Sequence, residues 1–193
     1  MIKVLVFGAT GRMGLEVIKA ISDSKTFKLV AAISSPSSKY LTHDSGALSC
    51  DRVNEVLISG SLPDVSGDVD VAIDFSNPDS SMRCLRYCAE RGIKFISGTT
   101  GFQNHHHKEI QMLSKKTAVC VASNFSKGIA LMSMLVEIAS KTSGDDTQIL
   151  INETHHKDKV DAPSGTAIDL AASIYRASKD SSTDREVSFT STR

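Results

Sequence analysis

The densest chemistry in the chain lies in one short stretch, Glu153-Thr154-His155-His156-Lys157-Asp158-Lys159-Val160-Asp161-Ala162-Pro163-Ser164-Gly165-Thr166-Ala167. Two histidines and a lysine run into a Pro-Ser-Gly-Thr sequence. Beyond it Ile168, Leu170, Ala171 and Ile174 recur at helical spacing, so Ser164 or its neighbour is a natural N-cap. The amides near Gly165 and Thr166 then have no intrahelical acceptor and form an anion site. His155, His156 and Lys159 add donors and transferable protons beside it. Such a cradle suits a carboxylate substrate that must be protonated during reaction.

A second constellation opens the chain. An apolar run at 2–7 is followed by Gly8, Gly11 and Gly14, then by Leu15, Val17, Ile18 and Ile21 at helical spacing. Glycines between a strand and a helix let the backbone approach a pyrophosphate, whose charge the helix N-terminus favours. The spacing is GxxGxxG, one residue off the common GxGxxG, so its position carries the argument. An acid about 20 residues further on would hold a free ribose 2′-hydroxyl and favour NAD. The next strand instead ends Ala32-Ile33-Ser34-Ser35. With Arg12 and Lys39 as available cations, this leans towards NADP.

These groups need elements to position them. Strands expected at 29–33, 56–58, 69–75, 95–96 and 118–122 alternate with helices after the glycine loop, after Pro78 and at 108–115. That alternation predicts an α/β protein with an N-terminal Rossmann-like, doubly wound parallel sheet. Residues 34–51 read as a surface loop. The character changes near Asn124: a helix at 129–139, a strand at 147–153, a helix at 164–177 and a strand at 187–192 predict a C-terminal α+β domain. The expected domains are residues 1–123 for the dinucleotide and 124–193 for substrate and oligomerisation. A sheet with so few strands is marginal. The second domain is therefore expected to be incomplete in this chain, or to pair its last strand across a subunit interface.

Other features receive structural readings. His105, His106 and His107 read as a solvated helix start, because adjacent helical residues point apart. Cys84 and Cys88 share a helix face and read as buried thiols, and the stretch around Met132, Met134 and Leu135 reads as core. Twenty-two basic residues balance 22 acidic ones, which argues against a nucleic-acid binder with a broad basic field. No apolar run reaches membrane-spanning length, and the start has no signal-peptide pattern. Four cysteines without a CxxC pair indicate neither a metal site nor a disulfide framework, so a cytoplasmic chain with reduced thiols is expected.

Together, the motif from Glu153 to Ala167, the residues 6–14, Ile73-Asp74-Phe75-Ser76, Gly98-Thr99-Thr100-Gly101-Phe102 and Asn124-Phe125-Ser126-Lys127-Gly128 resemble the dihydrodipicolinate reductase family. Its members are also called 4-hydroxy-tetrahydrodipicolinate reductases. The resemblance implies NAD(P)H-dependent reduction of a cyclic hydroxy-imine dicarboxylate, with loss of water, on the diaminopimelate route to lysine. It implies His155 as proton donor and acceptor, Lys159 as proton donor, and His156, Gly165 and Thr166 as substrate-binding residues. Cofactor contacts are implied at Gly8, Ala9, Thr10, Gly11, Arg12 and Met13, at Gly98, Thr99 and Thr100, and at Ala122, Ser123, Asn124 and Phe125. A homotetramer built through the second domain's sheet is implied too, with no metal, nucleic acid or membrane partner. Ser34 stands where many members carry an acid, which leaves NADPH and NADH both open. Family members usually continue beyond this chain's last residue. The competing readings are another imine or amino-acid dehydrogenase on the same scaffold and a non-catalytic dinucleotide sensor. The His155-His156-x-x-Lys159 cluster beside Pro163-Ser164-Gly165-Thr166 argues against the first, and the presence of both His155 and Lys159 against the second.

Overall fold

The structure, a computed structural model, describes residues 1–62, 69–144, 147–157, 159, 162–177 and 186–193. Asp158, Val160 and Asp161 of the His-Lys motif lie outside the described residues. The chain divides into two compact units, Met1–Ala122 and Ser123–Arg193.

In the first unit β1 (Ile2–Phe7) leads to α1 (Arg12–Ser22), and β2 (Phe27–Ile33) to α2 (Ser45–Cys50) and β3 (Ile58–Ser59). Then come β4 (Val71–Asp74), α3 (Pro78–Arg91), β5 (Lys94–Ser97), α4 (Asn104–Leu113) and β6 (Val119–Val121). The six strands form one parallel sheet in the order β3-β2-β1-β4-β5-β6. Strand order reverses between β1 and β4, and a crevice for ligands is expected at the C-terminal ends of strands flanking such a switch. The register places Ile33, Phe7, Asp74, Ser97 and Val121 in one row at those ends.

The run 2–7 is apolar without alternation because both faces of β1 are covered. Leu5 and Phe7 join a core with Met82, Leu85 and Cys88 of α3. Val4 and Val6 join the opposite core with Ile18 and Ile21 of α1. Asn77 accepts from Ser80 N–H at 3.0 Å, and Pro78 needs no partner in the first turn. Gly92, at φ +67°, ends α3 in the left-handed region. Cys84 and Cys88 are fully buried. A hydrogen bond with Cys88 and then burial push the Cys84 thiol up, which keeps it protonated.

Three local expectations need correction here. The stretch 34–51 contains α2, whose N-cap Asp44 accepts from Ala47 N–H at 2.8 Å. Serines and Gly46 masked a helix of six residues made by its cap. The third strand is Ile58–Ser59, while Leu57 bridges antiparallel to Asp44. His106 is buried, not solvated: its Nδ1 accepts from Gln103 N–H at 3.0 Å and starts α4 four residues early.

The second unit contains α5 (Lys127–Thr142), β7 (Ile149–Thr154), α6 (Gly165–Ala177) and β8 (Val187–Thr192). The strands β7 and β8 pair in parallel from Ile149↔Val187 to Thr154↔Thr192, joined by a crossover through α6. Their core is small: Ala171, Ile174 and Val187, with Val136, Ile149 and Ile151 against them. Met132, Met134 and Leu135 are not core, being 45%, 62% and 57% exposed. Helix α5 is apolar around most of its circumference, but its partner α6 covers only the side of Val136 and Ser133.

Candidate active site

In the second unit Glu153 is the organising group. It stands near the end of β7 with its side chain 10% exposed. One carboxylate oxygen accepts from Ser164 N–H at 2.9 Å and from the Ser191 hydroxyl at 2.8 Å. The other accepts from the Ser164 hydroxyl and faces His155 Nε2 at 3.2 Å. The Ser164 hydroxyl, then its backbone N–H, Ser191 and His155, hold this carboxyl down at about 2 against the burial that opposes them. An ionised carboxylate only accepts, so Nε2 of His155 carries the proton and Nδ1 is the atom left for exchange.

Ser164 also caps α6, since its hydroxyl oxygen accepts from Ala167 N–H at 3.2 Å. The first-turn amides of Gly165 and Thr166 are left without intrahelical acceptors. One carboxylate thus fixes both a histidine ring and the start of the helix that bears the anion cradle. The bond from His155 N–H to Thr192 O, 3.0 Å, extends the β7–β8 ladder into the motif. Lys159 N–H donates to His156 O at 3.1 Å, and Arg193 Nε donates to Lys159 O at 3.0 Å, so the lysine backbone is anchored at both groups. His156 is exposed.

The segment that joins the units bends onto α6. The Ser123 hydroxyl donates to the Asp169 carboxylate, and Asn124 Nδ2 donates to Thr166 Oγ1 at 3.3 Å. Asn124 Oδ1 accepts from Ser126 N–H at 2.6 Å, and Phe125 is 51% exposed. Two residues expected on the cofactor therefore touch the helix that carries the substrate-type cradle.

In the first unit Gly8 has φ +80°, and a Cβ there would sit 2.3 Å from Phe75 O. A Cβ on Gly14 would sit 2.1 Å from Gly8 O. Both positions require glycine for the turn and for the close approach of α1. Gly8 N–H and Ala9 N–H both donate to Ile33 O at 2.9 Å, and Thr10 Oγ1 lies 2.6 Å from Ser34 Oγ. Helix α1 begins on Gly11 without a side-chain cap and without an acid in its first turn. Each of α2, α3 and α5 has its capping side chain. The amides at Arg12 and Met13 are thus open to an anion. Of the second loop, Gly98 and Thr99 lie against the β4 end, and Thr100 is exposed. Ala122 N–H donates to Ser97 O at 3.1 Å. A crevice of about 280 Å³ runs past Gly8, Gly11, Ser34, Ser35, Ser76 and Arg83. This glycine-walled anion cradle beside a crevice fits a dinucleotide. Among the described residues, no cluster of three His, Cys, Asp or Glu side chains could hold a metal ion.

Sequence reasoning missed three groups here. Glu153 carries no local signal of a role, since its bonds depend on Ser191, far away in sequence. Asp74 has one signal, a charge closing an apolar strand. Arg83 sits on α3 with no local cue that it faces Ser34.

Models of the dihydrodipicolinate reductase N-terminus and C-terminus match residues 2–125 and 128–193. A dipicolinate-bound dihydrodipicolinate reductase from Paenisporosarcina sp. TG-14 is 26% identical at a TM-score of 0.74, over 100% of this chain and 78% of that one. Two more distant structures are similar in fold alone. Aspartate semialdehyde dehydrogenase II from Vibrio cholerae is 18% identical at a TM-score of 0.52, over 99% and 67% of the two chains. Aspartate semialdehyde dehydrogenase with NADP from Candida albicans is 15% identical at 0.50, over 80% and 50%. With both parts of one family matched in order along nearly the whole sequence, the chain belongs to the dihydrodipicolinate reductases, the oxidoreductases that carry out this reduction in lysine biosynthesis.

Proposed function

We propose that this chain reduces 4-hydroxy-tetrahydrodipicolinate to tetrahydrodipicolinate with loss of water, with the first unit holding NAD(P)H and the second the substrate. The observation that carries the reading is Glu153 tied at once to His155 and to the capped start of α6. Dipicolinate, the compound bound in the Paenisporosarcina enzyme, is a planar dicarboxylate. A carboxylate of that kind suits the amides of Gly165 and Thr166, where the helix dipole adds roughly 0.3–1 kcal/mol. His156 contributes a further donor.

A bound nicotinamide would supply the hydride. Lys159 Nζ delivers the proton that the reduced ring needs, and His155 exchanges a proton at Nδ1 while Glu153 holds Nε2–H. Gly8, Ala9, Thr10, Gly11, Arg12 and Met13 would receive the pyrophosphate. Gly98, Thr99 and Thr100, with Ala122, Ser123, Asn124 and Phe125, would receive the nicotinamide end. NADPH is used at least as readily as NADH, because Ser34 cannot repel a 2′-phosphate and Arg12 or Arg83 can pair with it. Arg83 has the better support, since it lines the crevice beside Ser34. The active form is a homotetramer in the cytoplasm, built through the sheet of the second unit, and the exposed apolar side of α5 is covered in the same assembly.

Oxidation of NADPH and of NADH, coupled to the synthase that makes the substrate, tests the reading. Substrate-dependent loss of absorbance is expected with NADPH. No turnover with either cofactor overturns it.

A further inference from the structure

Asp74 is fully buried at the C-terminal end of β4, yet all its partners are neutral. Oδ1 accepts from the Ser76 hydroxyl at 2.5 Å. Oδ2 accepts from Ser97 at 2.7 Å and from Thr99 at 2.8 Å. Among the described residues no cation is paired with it. A buried charge without a counter-ion is costly to keep. An amide side chain of the same shape carries no charge but accepts at one end only, whereas both oxygens of Asp74 take hydroxyl donors.

The direction of the bonds identifies the task of the carboxylate. Thr99 gives its hydroxyl proton to Asp74, which leaves its oxygen free to accept Ser76 N–H at 3.0 Å. Ser97 gives its proton to Asp74 and accepts Thr99 N–H at 3.1 Å. The acceptor-only carboxylate thereby sets the polarity of every hydroxyl in the network. Through them it fixes two backbone amides, one on the loop after β4 and one on the loop after β5. Asp74 O also accepts Gly98 N–H at 2.9 Å. Phe75, between the bonded residues, sits so close to Gly98 that a Cβ there would come within 2.1 Å of its ring. Its carbonyl meets Gly8 just as closely. The glycine loop, the β4 loop and the β5 loop therefore converge on a peptide that Asp74 anchors.

We propose that Asp74 is a positioning residue that holds the loops after β4 and β5 in the arrangement that receives the dinucleotide. This rests on the reading that the first unit binds NAD(P)H. An amide at this position donates as well as accepts. Facing Ser76, its N–H2 turns that hydroxyl round and brings a second N–H that needs an acceptor of its own; facing Ser97 and Thr99, it competes with the backbone amides of Thr99 and Ser76 for their hydroxyl oxygens.

The test titrates NADPH into the full chain by nicotinamide fluorescence, well below the thermal midpoint, for the wild type, Asp74→Asn, Ser97→Ala and the double variant. Asp74→Asn is expected to raise the Kd about tenfold, the equivalent of one net hydrogen bond. Ser97→Ala should raise it a few-fold, and the double variant should resemble Asp74→Asn, because Ser97 acts through the same carboxylate. A purely structural role lowers the thermal midpoint of the ligand-free protein without moving the Kd, and that result overturns the proposal. So does an additive double variant. If Asp74→Asn fails to fold, Ser97→Ala decides alone: an unchanged Kd overturns the proposal. A wild type that binds neither NADPH nor NADH overturns the cofactor reading itself, and this inference with it.

Discussion

Asp74 and Glu153 pose the same problem in two different settings. Each is an acid at or next to the end of a parallel strand; Asp74 gathers three hydroxyl donors, and Glu153 gathers two hydroxyls and a backbone amide. Around Asp74 the sheet has six strands, and both faces are sealed by cores the chain supplies itself. Around Glu153 the sheet has two strands, and β7 alternates half-buried and exposed residues along its whole length. A sealed setting lets a carboxylate act as a fixed part of the scaffold. An open one leaves room for a ring such as His155 to meet a substrate while the carboxylate holds it. On the proposed reading, rigid packing serves cofactor placement and partial exposure serves the proton chemistry.

The sharpest way to break this division is Lys159→Ala. Turnover should fall by about two orders of magnitude or more, the usual share of a general acid. NADPH binding should stay unchanged, because Lys159 is not among the proposed cofactor contacts. Steady-state kinetics alongside fluorescence titration checks both halves. Near-normal turnover would remove the lysine from the reaction, and a parallel loss of cofactor affinity would show that the two regions do not divide the work.

Glu153→Gln comes next. The amide cannot accept from Ser164, Ser191 and His155 together, so one donor is stranded at a cost of roughly 1–3 kcal/mol. Turnover should fall about tenfold or more as His155 loses its fixed proton on Nε2. The pH response follows from the carboxyl being lowered from 4.5 to about 2. A depressed carboxyl stabilises the folded state fully above its unfolded value, and that share is lost as pH falls from about 4.5 through about 2. Acid should therefore loosen the second unit over this window in the wild type. In Glu153→Gln that pH dependence should be reduced. Acid titration of both proteins followed by near-ultraviolet circular dichroism checks the sign.

A smaller effect is expected at the adenosine end. Ser34→Asp should lower NADPH affinity about tenfold through like-charge repulsion and leave NADH affinity nearly unchanged. Arg83→Ala should weaken NADPH selectively, and more so at low salt. If Arg12→Ala has the larger effect, the glycine loop and not α3 reads the 2′-phosphate.

The same contrast explains what was legible in the sequence. The buried strands of the first unit read correctly because parallel strands covered on both faces show as unbroken apolar runs, as at 4–7 and 29–33. The six-strand α/β architecture followed from their alternation with helices. Short elements made by a single cap did not read: α2 depends on Asp44, and the early start of α4 on His106. In the site, the sequence Pro163-Ser164-Gly165-Thr166 revealed the cap of α6, because capping is local. The roles of Glu153 and Asp74 stayed hidden, since they depend on Ser191 in the one case and on Ser97 and Thr99 in the other, partners brought together only by strand pairing. Helix α5 misled for a third reason. Apolar periodicity reports that a face is to be covered and does not say by what.

Helix α5 therefore gives the finest test of the comparison, because the same kind of deletion should behave oppositely in the two units. Phe95 is 1% exposed inside the first core, and Phe95→Ala should cost about 3–5 kcal/mol in any state of assembly. Leu135 is 57% exposed and Met134 62%. In a dissociated chain, changing either to a polar residue should move stability by no more than about 0.5 kcal/mol. In a tetramer that covers this side as well as the sheet, the same changes bury a polar group against apolar neighbours and should favour dissociation. Light scattering and thermal unfolding at two protein concentrations separate the two. Met134→Gln and Leu135→Gln are expected to reduce the assembled mass and to remove the concentration dependence of the midpoint, while Phe95→Ala lowers the midpoint and leaves that dependence in place. If the two α5 variants assemble as the wild type does, this side of α5 is not the interface.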